Sequence, residues 1–153
     1  MSSPLRVKNL SYLSFTSLLL IYTTMIFGVY LSSINQSMYC RGWPLCPNGL
    51  LNLPDPSYII EYLHRILAFS AVIGISLMTI YSYSKLRNIR FLCLVAALLV
   101  IIQFFLGMFV ATTPLIPLVS AGHLTIGVTL FGLVLLIFLF SKGVWKTNLF
   151  ICE

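Results

Sequence analysis

Four long apolar runs, separated by polar connections, organise the chain. They cover about residues 10–31, 58–84, 91–111 and 118–140. Each is close to the ~20 residues a helix needs to cross a ~30 Å hydrocarbon core. Backbone groups in lipid must be satisfied within their own segment, so runs of this length predict helices. The expected fold is an all-α membrane protein, a four-transmembrane-helix bundle in a single membrane domain over residues 1–153. The first run follows Arg6 and Lys8, a start that also suits a signal peptide. At roughly 22 residues it exceeds a signal h-region of about 7–15, and no A-x-A-like site follows it, so it reads as the first span.

The long connection, residues 32–57, carries Cys40-Arg41-Gly42-Trp43-Pro44-Leu45-Cys46 and then Pro47, Asn48, Gly49, Pro54 and Pro56. Turn formers at that density argue against a continuous helix. Lys85, Arg87 and Arg90 make a basic turn between the second and third spans, and a Thr-Thr-Pro-Leu-Ile-Pro link over 112–117 leads to the fourth.

Composition narrows the class. A chain that is 59% hydrophobic and 8% charged, with mean hydropathy +1.03, is an integral membrane protein and not a soluble domain. The net charge of +6 does not point to nucleic acid, because the basic residues are scattered through short connections and form no stripe. They act as topology signals. Alternating the connections puts Arg6, Lys8, Lys85, Arg87, Arg90, Lys142 and Lys146 on one side, and Arg41 and Arg65 on the other. Seven against two predicts cytoplasmic N- and C-termini, with the cysteine loop on the external face of the cell membrane. Lipid is the surrounding partner.

The candidate chemistry lies in Glu61-Tyr62-Leu63-His64-Arg65, which puts a carboxylate, an imidazole and a guanidinium at the mouth of an apolar helix. Such groups near a bilayer need a partner or a use. The second histidine, His123, opens the fourth span, which runs parallel to the second. At ~1.5 Å per residue both histidines sit roughly 8–9 Å below the external boundary. Structural imidazoles bonded to a hydroxyl or carbonyl are the plain alternative. Bis-histidine ligation of a haem iron is the use that best fits a pair at one depth in a four-helix bundle. Zinc would ask for further ligands, of which Glu61 supplies one.

Small residues surround the pair. Ala68 and Ala71 follow His64, and Gly127 follows His123 by one turn. Thr24, Gly28 and Ser32 recur at i, i+4 and i+8 on the first span, as do Gln103, Gly107 and Ala111 on the third. Close helix packing would use such stripes too. Their common depth favours a cavity that admits a flat macrocycle, with Gln103 on its wall as a cofactor-binding candidate. Glu61 either pairs with Arg65, its i+4 neighbour, or serves as a general base or electrostatic stabiliser. Arg65 could equally hold a haem propionate. Cys40 and Cys46 lie in an external loop, where disulfides persist; a bond there would be a structural staple or a redox pair. Cys93 and Cys152, on the cytoplasmic side, are expected to stay reduced.

At these residues the chain resembles the haem A synthase family. The resemblance rests on the Cys-Arg-Gly-Trp-Pro-Leu-Cys loop, Glu61-x-x-His64-Arg65, Gln103-x-x-Leu106-Gly107 and Ala121-Gly122-His123, in that order over about residues 10–140. It implies oxidation of the C8 methyl group of haem O to a formyl group by successive hydroxylations, giving haem A. It implies His64 and His123 as axial haem iron ligands, Glu61 as the catalytic carboxylate and a Cys40–Cys46 disulfide. Haem b is the implied cofactor and haem O the substrate. Family members generally join two four-helix halves, each with a histidine pair, and this chain carries one pair. A homo-oligomer is therefore expected, with haem O synthase or terminal oxidase assembly proteins as candidate partners. Two other classes compete. A haem b electron-relay cytochrome would need neither Glu61 nor the cysteine loop. A quinone-linked membrane thiol oxidoreductase would leave both histidines without a role and lacks a second external cysteine pair.

Overall fold

The computed structural model describes residues 4–34, 59–113 and 116–143. Four α-helices account for nearly all of them: α1 (Pro4–Ser33), α2 (Ile59–Lys85), α3 (Arg90–Thr112) and α4 (Pro117–Ser141). A 3-10 turn, Arg87–Ile89, joins α2 to α3. All four helices are long and apolar enough to cross a membrane. Among the described residues there is no strand.

The four expected helices are all present; α3 and α4 extend one residue beyond their apolar runs at each end, and α2 is displaced by one residue toward its C-terminus. The largest extension is at α1, which begins at Pro4 and not near residue 10. Arg6 and Lys8 mark the end of the apolar run, but neither breaks a helix, so the α-helix continues through them. At its other end α4 stops where the Gly143 N–H reaches the Phe140 carbonyl with φ at 69°. That backbone position favours glycine and closes the last turn. α4 starts with Pro117 at its first position, where a missing N–H is harmless.

The helices pack in chain order, with α1 closing against α4. The bundle then divides along its length. Around the α2–α3 turn, the start of α1 and the end of α4 it is a solid core, including Leu18, Ile75, Met78, Cys93, Val134 and Ile137. Ser14 and Ser17 are buried there, and each hydroxyl donates to a carbonyl one turn back on its own helix, Leu10 and Leu13, at 2.8 Å. Satisfied this way, small hydroxyls allow close approach in an apolar setting. A Cβ on Gly74 of α2 would lie only 3.1 Å from Ser17 Oγ. The Thr79 hydroxyl, 2.8 Å from the Ile75 carbonyl and 3.0 Å from the Cys93 carbonyl, ties α2 to α3.

Outward faces carry large apolar side chains such as Phe69, Ile80, Phe91, Leu98 and Leu118. Water would not tolerate so continuous an apolar surface, whereas lipid requires it. The chain is a multi-pass membrane protein. The other end of the bundle is hollow, and both histidines lie there.

Candidate functional site

A cavity of about 820 Å³ opens between the four helices at the end opposite the α2–α3 turn. This lies within the ~300–1,000 Å³ typical of pockets that enclose an organic ligand. Both histidines line it, and so do Glu61, Arg65 and Gln103. The small residues singled out in the sequence, Thr24, Gly28, Ser32, Gly107, Ala111, Ala68, Ala71 and Gly127, all line it too. The stripes therefore open a space, and they also let helices approach at specific points.

His64 is the sixth residue of α2 and faces α1. Its Nδ1 lies 2.9 Å from the backbone carbonyl of Thr24. A carbonyl can only accept, so Nδ1 carries the proton and donates it. Nε2 then keeps its lone pair, the form in which a neutral imidazole binds a metal. A backbone carbonyl on the far nitrogen is the usual way a ligating histidine is oriented. The ring can come this close only because residue 28 is glycine: a Cβ there would sit 2.9 Å from His64 Cε1.

The α3–α4 hairpin repeats the construction. A Cβ on Gly107 would lie 3.1 Å from His123 Cε1, so His123 of α4 rests on a glycine of α3 as His64 rests on Gly28. One turn before each glycine stands Thr24 or Gln103, and one turn after each histidine stands Ala68 or Gly127. The Gln103 amide fills the space over Gly127, where a Cβ would be 2.9 Å from Nε2. The halves differ in one respect. Among the described residues, His123 Nδ1 and Gln103 Oε1, both buried, have no hydrogen-bond partner.

Glu61 and Arg65 form an ion pair, with Arg65 Nη2 donating to Glu61 Oε1 at 2.6 Å. Their side chains are 3% and 7% exposed, so the pair is in the wall of the cavity and not at a solvated membrane edge. Burial of a charge in such a setting requires a partner of this kind. The pairing reading of these two residues is thus realised in the structure, while both still face the cavity.

Among the described residues no three His, Cys, Asp or Glu side chains gather as a metal-ion ligand set. The two imidazoles instead suit an iron that brings its own equatorial ligands, as in haem. The fit is chemical as well as spatial: one imidazole is preset in its ligating tautomer, both are notched into glycines, and the remaining wall is mostly apolar. Cys40, Cys46 and Cys152 lie outside the described residues, as does nearly all of the 32–57 connection. Cys93 is a free, buried thiol in the solid half of the bundle. Sequence reasoning missed the Thr24 carbonyl, since a main-chain acceptor has no side-chain signature. It also missed that Gly28 and Gly107 each receive an imidazole.

Comparison with known proteins gives a consistent picture. Residues 51–147 match the COX15-CtaA family model, described as cytochrome oxidase assembly protein. Among curated proteins, the heme A synthase of Shouchella clausii is 30% identical over 105 residues, covering 65% of this chain and 35% of its own. That of Bacillus licheniformis is 26% identical over 134 residues, covering 85% of this chain and 44% of its own. A heme A synthase of Listeria monocytogenes is 29% identical over 122 residues, 75% of this chain and 40% of its own. The chain therefore aligns with well under half the length of these relatives. No solved structure matches.

Proposed function

Since the chain belongs to the COX15-CtaA family of cytochrome oxidase assembly proteins, we propose that it is a haem A synthase, an oxidoreductase that converts the C8 methyl group of haem O to a formyl group. The observation that carries this reading is the pair of glycine-notched imidazoles opening on one cavity beside a buried carboxylate–guanidinium pair. His64 through Nε2, and His123 from the opposite hairpin, would hold the haem iron. Haem iron supplies the redox chemistry when bound. The residues of the chain bind and orient the macrocycle, and the apolar wall excludes water. Arg65 offers a planar fork of donors suited to a propionate carboxylate. Glu61, on the cavity wall, would provide negative charge and a base for a proton released during the oxidation.

In this reading the pair His64 and His123 serves substrate haem O, cofactor haem b, or each in different copies. A homo-oligomer whose subunits divide these roles belongs to this reading, symmetric association being the common way for like chains to assemble. Haem O synthase and terminal oxidase assembly proteins are the fitting neighbours for a protein that takes up haem O and releases haem A. The test is to purify the protein from cells supplied with haem O, extract the haems and identify them. Hydroxylated haem O or haem A, dependent on this chain, is expected. Haem b alone would favour an electron-relay cytochrome and overturn the synthase reading.

The charge asymmetry of the connections supports a cell-membrane topology with both termini cytoplasmic and residues 32–57 outside. A Cys40–Cys46 disulfide belongs to this reading. An impermeant thiol reagent applied to intact cells should label Cys40 and Cys46 only after reduction, and should not reach Cys152. Labelling of Cys152 under those conditions would reverse the orientation.

A further inference from the structure

We infer that Gln103 is the positioning residue for His123: its side-chain carbonyl receives the Nδ1–H of His123, as the main-chain carbonyl of Thr24 receives that of His64. This goes beyond the haem-binding reading and rests on it. The two hairpins present their histidines by the same device, a glycine on the first helix and an imidazole on the second. In α1–α2 the residue one turn before that glycine closes the device, through a 2.9 Å contact from Thr24 to His64 Nδ1. In α3–α4 the corresponding residue is Gln103.

Three observations single it out. Gln103 Oε1 is a buried acceptor without a donor, and His123 Nδ1 is a buried ring nitrogen without a partner. Two orphaned groups of complementary character, on packed helices and lining one cavity, are a mutual solution, because buried polar groups in proteins are nearly always paired. The interlock fixes how near they are in register. Gly107 of α3 takes the edge of His123, while Gly127 of α4, one turn beyond His123, takes the Gln103 amide. The amide is thus held on the wall of the cavity one turn from the residue that carries the imidazole. Gly127 is what leaves room for an amide here; Ala68 stands at the equivalent place in the other hairpin, where a backbone carbonyl needs no such room.

The consequence is two unequal axial positions. His64 is set by the backbone before any haem arrives. His123 is set by a side chain, so its hydrogen bond, and with it the electron-donating strength of the imidazole, is open to change by substitution. An acceptor on Nδ1–H makes the ring a stronger donor to iron and favours the ferric state. Gln103 thereby tunes the site without touching the iron.

The experiment uses the full chain, purified and loaded with haem b, with Gln103→Leu and Gln103→Glu beside the wild type. Haem affinity, the midpoint potential and the low-temperature electron paramagnetic resonance of the ferric form are read. Gln103→Leu should weaken haem binding by about 10–100-fold, the usual effect of losing an outer-shell partner, and raise the potential. Gln103→Glu should restore affinity and lower the potential below that of the wild type. Opposite shifts are a signature that a packing role would not give. Equal potentials in all three proteins, or shifts of the same sign, would overturn the inference. If Gln103→Leu fails to fold, an unchanged potential in Gln103→Glu does so alone. Failure of the wild type to bind haem, or full haem binding by both His64→Ala and His123→Ala, would instead overturn the haem reading itself.

Discussion

His64→Ala and His123→Ala should each strip the purified protein of most of its haem, and His64→Ala should be the more severe. The reason is pre-organisation. The Thr24 carbonyl fixes both the tautomer and the orientation of His64, so its Nε2 is presented with little further ordering. His123 is confined by Gly107 but its Nδ1 is unbonded, so part of its ordering is left to the moment of ligation. The readout is haem per polypeptide and the absorption spectrum of the reduced form, with helical content measured in parallel. A finer variant tests the same geometry from the opposite helix. In Gly28→Ala the new Cβ would stand 2.9 Å from His64 Cε1, closer than real contacts allow, so the ring must move. That movement breaks the bond to Thr24. Overpacking of this kind costs about 1–3 kcal/mol, so the fold should persist while haem content falls between wild type and His64→Ala. Haem content at the wild-type level in both histidine variants would sink the ligand assignment, and an unaffected Gly28→Ala would show that the ring tolerates displacement.

Much of this site was legible in the sequence because lipid simplifies the code. Hydropathy alone located four helices, and counting residues from each helix start brought His64 and His123 to a common depth. Both inferences use only length and composition, which a bilayer constrains strongly. The stripes Thr24–Gly28–Ser32 and Gln103–Gly107–Ala111 were visible as spacing, but spacing does not separate a cavity from a contact. The structure makes them both at once: Gly28 and Gly107 receive imidazole edges while their stripes line the cavity. What could not be read was whatever depends on the partner helix. A glycine has no chemistry of its own to announce that a histidine 36 residues on, or 16 residues on, will rest against it. The extension of α1 to Pro4 was hidden for another reason, since apolar runs report the thickness of lipid and not where a helix ends.

The burial of Glu61 was also hidden, because a hydropathy reading treats a carboxylate and a guanidinium as two penalties. Paired at 2.6 Å they become one compact unit that can line a cavity. Arg65→Leu should therefore destabilise the protein in detergent by about 3–5 kcal/mol, since it leaves a buried carboxylate without its cation. Glu61→Gln should also destabilise, since the buried guanidinium loses its anion, but less so because the amide oxygen still accepts from Arg65. The double variant Glu61→Gln/Arg65→Leu should recover part of the loss, and the non-additivity measures the pair. Function should sort these variants differently from stability. Glu61→Gln keeps the cavity, the imidazoles and the guanidinium, so haem should stay bound, yet it removes the negative charge and proton acceptor that the proposed reaction would use. Conversion of haem O should then be lost while the haem spectrum is retained. If Glu61→Gln converts haem O at the wild-type rate, the carboxylate is only a counter-ion for Arg65, and the chemistry must be sought elsewhere on the cavity wall.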